Sequence, residues 1–178
     1  DKFSGGDISG FDRRTRAVVK IEDGCNRFCS YCIIPYSRGR VRSKPIDELK
    51  EELHKLSEAG FAEVVLVGIN LSAYGTDIGL SICDAVELAD SMNFKRVRPG
   101  SLEPDHITDE VIKRLSKLQS FCPQFHISLQ SGCDNTLKAM NRHYCAEEYS
   151  ELCKKLRASF PDAAITTDIM VGFPTESE

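Results

Sequence analysis

The segment RAVVKIEDGCNRFCSYCIIPY, residues 16–36, joins a short apolar stretch to three cysteines that lie within eight residues of one another. The apolar part, RAVVKIE, predicts a β-strand, and Cys25, Cys29 and Cys32 follow it directly in a loop. Cysteines this close together are typical of a disulfide knot, a zinc site, a redox couple or an iron–sulfur cluster. The remainder of the chain has to distinguish between these four kinds of site.

Composition narrows the class of protein. The chain has 178 residues of which 41% are hydrophobic, enough for one domain with a sizeable core. No window approaches the roughly 20 apolar residues of a membrane span, and the N-terminus lacks the apolar run of a signal peptide. We therefore expect a cytoplasmic protein without a membrane partner, in which a disulfide framework is disfavoured. The net charge of −4 argues against a general basic nucleic-acid wrapper.

Strand and helix patterns alternate along the chain. Strand patterns cover residues 16–22, 62–68, 94–101, 124–132 and 163–174, and helix patterns cover residues 45–60, 80–92, 107–118 and 146–160. Five strands alternating with four helices predict βαβ units and a parallel sheet. The expected fold class is therefore α/β, a partial (βα) barrel truncated after about the fifth strand. Residues 1–15 are a lead-in, and residues 16–178 are an incomplete core domain.

The number of cysteines in the loop separates the possible metal sites. A structural zinc site needs four ligands, and the nearest histidine, His54, falls within a predicted helix. A thioredoxin-like couple uses one CxxC pair, which leaves Cys25 without a role. Three thiolates instead suit a cubane 4Fe-4S cluster in which one iron stays open to a small molecule. The spacing also differs from that of bacterial ferredoxins.

Polar and glycine-bearing loops follow the other predicted strands. In parallel sheets such loops meet at the C-terminal edge, where functional groups lie. The groups in question are Gly68 and Asn70 after the second strand, Ser101 and Glu103 after the third, Ser128, Gln130 and Ser131 after the fourth, and Met170, Gly172 and Phe173 in the fifth. Each also has an ordinary structural explanation: turn glycines, helix-capping serines and a core methionine.

The string CNRFCSYC, residues 25–32, resembles the CxxxCxxC motif of the radical S-adenosylmethionine superfamily, with the aromatic Tyr31 before the last cysteine. The resemblance implies that Cys25, Cys29 and Cys32 are catalytic and hold a 4Fe-4S cluster whose open iron chelates S-adenosylmethionine. A reductant such as flavodoxin or ferredoxin then supplies the electron that generates a 5'-deoxyadenosyl radical.

The same resemblance implies which residues contact S-adenosylmethionine. Gly68 and Asn70 take the place of the stretch that receives the methionine amino group, and Arg142 is the candidate for its carboxylate, since guanidinium suits two-point contact. The full set of implied cofactor-binding residues is Tyr31, Gly68, Asn70, Ser101, Glu103, Ser128, Gln130, Arg142, Met170, Gly172 and Phe173.

Residues 16–178 are similar to the methylthiotransferase branch, on the strings KIEDGCNRFCSYCIIPYSRGRVRS, SLQSGCDNTLKAMNRHY and TTDIMVGFPTES. Members of that branch replace a C–H bond by C–S–CH3 on tRNA or on a ribosomal protein. RGRVRS and RVRPGSLEP resemble the subgroup that acts on threonylcarbamoyl-adenosine next to the tRNA anticodon. The alternatives are the subgroup acting on isopentenyl-adenosine, the ribosomal-protein type, a non-catalytic iron–sulfur electron-transfer module and a zinc-binding interaction domain.

Family members also carry an N-terminal domain with a second 4Fe-4S cluster and a C-terminal TRAM domain that grips RNA, and neither fits into these residues. The other cysteines, Cys83, Cys122, Cys133, Cys145 and Cys153, are scattered and predict buried or idle thiols. Two arginine groups could position the anticodon loop of a tRNA or form a solvated face. They are Arg13, Arg14 and Arg16, and Arg38, Arg40 and Arg42. Thr175 stands where the family usually has a glycine.

Overall fold

The computed structural model describes residues 3, 15–174 and 176, and in this part strands and helices alternate. Most of the lead-in, Arg13, Arg14 and Thr175 lie outside the described residues. The strands are β1 (Arg16–Asp23), β2 (Arg42–Ser43), β3 (Glu63–Gly68), β4 (Arg96–Pro99), β5 (Ser101–Leu102), β6 (Gln124–Ile127) and β7 (Ala164–Thr166). The helices are α1 (Ile34–Arg38), α2 (Ile46–Glu58), α3 (Ile82–Asp90), α4 (Asp109–Leu115), α5 (Asp134–Ala139) and α6 (Ala146–Ser159), with 3-10 turns at Leu71–Ala73 and Pro104–His106.

The strands form a curled, mostly parallel sheet, as the alternating pattern predicts. One part has the strand order β2-β1-β3-β4 and the other has the order β5-β6-β7. Every described pairing between these strands is parallel except that of β2 with β1. Gly100 separates β4 from β5, and its N–H donates to the carbonyl of Leu66 at 2.8 Å. A parallel bridge between Val97 and Phe121 continues the surface, so the fold is an α/β half-barrel.

The two faces of the sheet differ in polarity. Ala17, Val19 and Ile21 alternate along β1 and are completely buried against the helices. The residues of α2 that share this core are Leu49, Leu53 and Leu56, at the spacing of one helix face. On the concave face the side chains of Arg16 and Glu63 form an ion pair at 2.9 Å. The buried apolar face therefore holds the sheet to the helices, and the other face of β1 and β3 is more accessible and carries both charged and valine side chains.

Two short helices and the last strand differ from the pattern in the sequence. The helix α5 has only six residues, too few for the helical period to be read, and α1 begins beside Pro35. The strand β7 ends at Thr166, although the pattern predicts it to Pro174. The reason lies in Thr167, whose hydroxyl accepts the N–H of Leu129 at 2.9 Å and takes the place of a ladder hydrogen bond.

None of the described helices has both the length and the apolar character needed to cross a lipid bilayer.

Candidate functional site

The cysteine loop, defined as residues 24–33, begins at a glycine that no other residue can replace without movement of the backbone. Gly24 has a φ of +89°, and a Cβ at this position would lie 2.0 Å from the carbonyl oxygen of Arg40. The N–H of Cys25 donates to the carbonyl of Gly39 at 3.0 Å, and the N–H of Val41 donates to the Asn26 side chain at 3.3 Å. The start of the loop is therefore tied to the chain that leads into β2.

The second half of the loop is held by the C-terminal end of α5. The N–H of Ser30 donates to the carbonyl of Met140 at 3.1 Å, and its hydroxyl donates to the carbonyl of Ala139 at 2.8 Å. The Asn141 amide donates to the carbonyl of Phe28 at 3.0 Å. Residues more than one hundred positions apart along the chain thus fix the conformation of the cysteine loop.

The three cysteines lie together on this loop as free thiols. Cys29 is buried, and Cys25 and Cys32 are half-buried. Burial raises the pKa of the Cys25 thiol, and the nearby sulfur atoms of Cys29 and Cys32 raise it further. Within the described residues no three His, Cys, Asp or Glu side chains are arranged to share a single metal ion. A cubane makes a different demand, because each thiolate binds its own iron, and three neighbouring thiols on one loop fit it.

Arg142 links the cysteine loop to three other elements, and its side chain is only 3% exposed. Its Nη1 donates to the sulfur of Cys29 at 3.2 Å, and its Nε donates to the hydroxyl of Tyr144 at 2.9 Å. Its Nη2 forms an ion pair with Glu103 and contacts the carbonyl of Ser128 at 3.3 Å. Burial lowers the pKa of Arg142, but the Glu103 carboxylate, Tyr144 and the Cys29 sulfur together outweigh burial and raise that pKa. The guanidinium expected to bind a cofactor carboxylate is thus already paired with one.

Glu22 lies beneath the loop that follows β3 and is completely buried. Its Oε2 accepts the N–H of Asn70 at 2.7 Å, and a Cβ at Gly68 would lie 2.7 Å from the same oxygen. Its Oε1 and the side-chain oxygen of Asn70 are buried without a hydrogen-bond partner in the described part of the chain. Burial raises the pKa of Glu22 to about 7. Gly68 and Asn70 are therefore brought to the end of β1 by a residue that the sequence analysis did not select.

The residues predicted on the later strands fall on the same edge with different contacts. Gln130 has a φ of +69°, and its carbonyl accepts the N–H of Met170 at 2.8 Å. The ring of Phe173 packs edge-on against Tyr31 with 6.2 Å between centroids, next to the exposed Gly172. Ser101 is exposed, in register with His126 of β6.

Four further residues hold the site together, and the motifs in the sequence did not predict them. They are Glu22, Arg27, Asn141 and Tyr144. Arg27 is 6% exposed and pairs with Asp105, which follows β5. All four lie inside the strings on which the family resemblance rests. The partners of Glu22, Arg27 and Asn141 are distant along the chain, so no local pattern marks these residues.

These features define an α/β half-barrel whose C-terminal edge carries a three-cysteine loop. The family model of the Radical SAM superfamily matches residues 19–178, so the chain belongs to that superfamily. Membership implies a 4Fe-4S cluster and S-adenosylmethionine, and the cysteine loop fits both. This confirms the predicted fold class and the resemblance read from the cysteine motif.

Among characterised relatives, the chain is 41% identical over 170 residues to the threonylcarbamoyladenosine tRNA methylthiotransferase MtaB of Thermotoga maritima, covering 94% of this chain and 39% of the relative. It is 40% identical over 166 residues to the tRNA-2-methylthio-N(6)-dimethylallyladenosine synthase of Clostridium botulinum, covering 92% of this chain and 37% of the relative. The chain thus spans about two fifths of the length of these relatives.

Among solved structures, the fold is similar to that of TsrM from Kitasatospora setae, a radical S-adenosylmethionine methyltransferase with cobalamin and a 4Fe-4S cluster bound. The TM-score is 0.67 at 13% sequence identity, over 86% of this chain and 30% of that chain. At this identity the likeness concerns the fold alone.

Proposed function

We propose that this chain is the radical S-adenosylmethionine core of a tRNA methylthiotransferase that converts N6-threonylcarbamoyladenosine, next to the anticodon, to its 2-methylthio derivative. The observation that carries the proposal is the cysteine loop, held at the open edge of the half-barrel by α5 and Arg142. The two relatives described above are both named as enzymes of tRNA methylthiolation, and their identities to this chain are nearly equal. The choice of threonylcarbamoyladenosine therefore rests on the RGRVRS and RVRPGSLEP strings, the second of which includes Glu103.

In this proposal Cys25, Cys29 and Cys32 each bind one iron and leave the fourth iron to the amino and carboxylate groups of S-adenosylmethionine. When bound, the reduced cluster supplies the electron that splits the cofactor into methionine and a 5'-deoxyadenosyl radical. Cys29 is buried and Cys25 and Cys32 are half-buried, which supports this role because the cluster ligands are then partly withdrawn from bulk water.

The remaining assignments follow from the contacts at the strand ends. Gly68 and Asn70, backed by Glu22, would receive the methionine ammonium, since a buried oxygen of Asn70 has no donor among the described residues. Ser101, Ser128 and Gln130 would bind the ribose, and Met170, Gly172 and Phe173 would lie along the adenine. Arg142 would take the methionine carboxylate in place of Glu103.

An RNA substrate is supported by the surface around the cysteine loop. Phe28 and Tyr36 are 47% and 73% exposed, and their rings meet edge to face at 5.5 Å. Arg38 and Arg40 are exposed beside them. Exposed aromatic rings stack unpaired bases, and arginines hold phosphates. We propose that this surface, the aromatic–arginine patch (Phe28, Tyr36, Arg38 and Arg40), receives the anticodon loop.

Two of the arginines considered for positioning the anticodon loop bind other groups of the protein instead. Arg42 is 17% exposed, and its Nη1 donates to the carbonyls of Arg38 and Arg40 at 2.9 and 2.8 Å. Arg16 begins β1 and pairs with Glu63, so it lies at the opposite end of the strand from the cysteine loop. Of the two alternatives for these arginines, these contacts favour a role within the protein for Arg42 and Arg16 over one in RNA binding.

We further propose that the protein works in the cytoplasm with a flavodoxin or ferredoxin as reductant. The sulfur donor, a second 4Fe-4S cluster, would belong to a domain outside these 178 residues.

Mass spectrometry of tRNA nucleosides tests the proposal. A host without methylthiotransferases of its own would express the full-length protein or its Cys29→Ala variant. Methylthio-threonylcarbamoyladenosine, present with the first and absent with the second, is the expected result. Methylthio-isopentenyladenosine instead would keep the enzyme class and overturn the substrate. If neither product forms and purified protein leaves S-adenosylmethionine intact, the enzyme assignment fails and the electron-transfer alternative takes its place.

A further inference from the structure

The contact between Arg142 and Cys29 brings the buried, positively charged guanidinium next to a sulfur atom of the cysteine loop. The Nη1 of Arg142 lies 3.2 Å from that sulfur, the Arg142 side chain is only 3% exposed, and Cys29 is buried. The guanidinium cannot lose its charge at any ordinary pH. In a water-poor site such a charge acts more strongly than it would at the surface.

The negatively charged carboxylate of Glu103 binds the other side of the Arg142 guanidinium. Glu103, 18% exposed, forms an ion pair with Nη2 of Arg142, while Nη1 contacts the sulfur. The hydroxyl of Tyr144 accepts the Nε N–H, and the guanidinium lies 5.1 Å from the centre of the Tyr144 ring. Tyr144 thereby fixes the orientation of the guanidinium, so that its two terminal nitrogens bind a sulfur and a carboxylate at the same time.

We propose that Arg142 and Glu103 are positioning residues that set the reduction potential of the 4Fe-4S cluster in opposite directions. The inference rests on the proposed function, because it requires Cys29 to bind the cluster. Reduction adds one electron, delivered by the external reductant, without forming or breaking a bond. A hydrogen bond to a ligand sulfur and a nearby positive charge stabilise the more negative, reduced cluster, and a nearby carboxylate destabilises it.

The sign of each effect follows from the charge that remains. Glu103→Gln leaves the charge of Arg142 without a counter-ion, so the potential should become less negative. Arg142→Gln removes the donor to Cys29 and leaves the Glu103 carboxylate unpaired, so the potential should become more negative. The double variant should lie between the two single variants, since it removes both charges.

The test is a redox titration of the reconstituted full-length protein without S-adenosylmethionine, followed by electron paramagnetic resonance. The cluster signal to follow is the one that disappears in Cys29→Ala. A matched control is available in α3 and α4, where Arg114 binds Glu87 through Nε and Nη2, at 2.7 Å each. Glu87→Gln and Arg114→Gln change an equivalent ion pair away from the cysteine loop and should leave the potential unchanged.

Opposite shifts in the two single variants, with no shift in the controls, support the proposal. Shifts in the same direction, or none in Glu103→Gln, overturn it. If Arg142→Gln does not retain the cluster, Arg142→Lys replaces it, and its potential should also be more negative because a lysine lacks the fork that reaches both partners. Absence of any signal that depends on Cys29 would instead refute the proposed function.

Discussion

At the scale of single residues, Glu22 shows how burial couples the candidate site to pH. Its side chain is completely buried, and its pKa is raised from 4.5 to about 7, first by desolvation. The folded protein therefore keeps a proton that the unfolded chain releases above about pH 4.5. Consequently the contribution of Glu22 to stability is fully present below pH 4.5 and is lost as the pH rises towards 7.

Replacing this carboxyl by an amide should remove that pH dependence. In Glu22→Gln the amide oxygen can still accept the N–H of Asn70, and no charge has to be buried. At pH 8 we expect a gain of about 1 to 3 kcal/mol in the free energy of unfolding, at about 1.4 kcal/mol per unit of pKa shift. Towards pH 4.5 the gain should vanish. Urea unfolding of the two proteins at pH 8 and pH 5 measures it.

Glu151→Gln provides the control for that comparison, because the Glu151 side chain is 55% exposed and its pair with Lys154 is a surface contact. Its effect should be small and equal at both pH values. A gain in Glu22→Gln that is the same at pH 5 and pH 8 would contradict a raised pKa.

At the scale of elements, the cysteine loop depends on backbone contacts that allow no side chain at Gly24. In Gly24→Ala the new Cβ would lie 2.0 Å from a backbone carbonyl, so the loop and the chain near Arg40 must separate. We expect a loss of more than about 2 kcal/mol in stability. The 4Fe-4S content after reconstitution, measured by iron analysis and visible absorption, should fall sharply.

Gly60 is the matched control for this prediction. It also has a positive φ, +83°, but a Cβ there would meet nothing within 4 Å. Gly60→Ala should cost only the left-handed backbone strain, about 1 to 2 kcal/mol, and should leave the cluster content intact. Equal cluster content in the two variants would show that the contact with Arg40 does not shape the loop.

Helices and strands with a long apolar pattern can be predicted from the sequence, and shorter ones cannot. The helix predicted at residues 45–60 is α2 (Ile46–Glu58), and the strand predicted at residues 62–68 is β3 (Glu63–Gly68). Both have a long apolar pattern, and a glycine ends the helix, so local chemistry determines them. The helix α5 lacks such a pattern, and β7 stops early because Thr167 binds Leu129.

The residues of the candidate site also fall into those that a local pattern predicts and those that only the arrangement of the strands brings together. The spacing of Cys25, Cys29 and Cys32 is local, and the sequence alone predicts the cluster loop. The contact of Arg142 with Cys29 joins residues 113 positions apart, and the contact of Glu22 with Asn70 joins residues 48 apart. Such pairs depend on how the strands are arranged in the sheet. No local pattern carries that information, so the sequence placed Arg142 at the site but not its pairing with Glu103.

At the scale of the whole molecule, the two ends of the half-barrel have different surfaces. The end with the cysteine loop carries the aromatic–arginine patch, where Tyr36 is 73% exposed. The other end carries charged side chains that bind one another, such as Arg96 and Arg16 with Glu63 at 3.4 and 2.9 Å. A flexible RNA loop needs accessible cations and free ring faces, and these occur together at the first end, where the exposed Arg38 makes only a long contact of 3.9 Å with Asp23.

The last prediction follows from that difference between the ends. Tyr36→Ala removes a ring that could stack a base, so the Kd for the anticodon stem-loop should rise roughly 5- to 150-fold, a loss of about 1 to 3 kcal/mol in binding free energy. Arg38→Gln should weaken binding less at high salt and reduce the slope of log Kd against log salt by about one. Arg96→Gln, at the opposite end, is the control and should leave both unchanged. Fluorescence anisotropy of a labelled stem-loop with the full-length protein measures these values. Unchanged affinity in Tyr36→Ala, together with a loss of stability, would instead assign the patch to a contact within the protein.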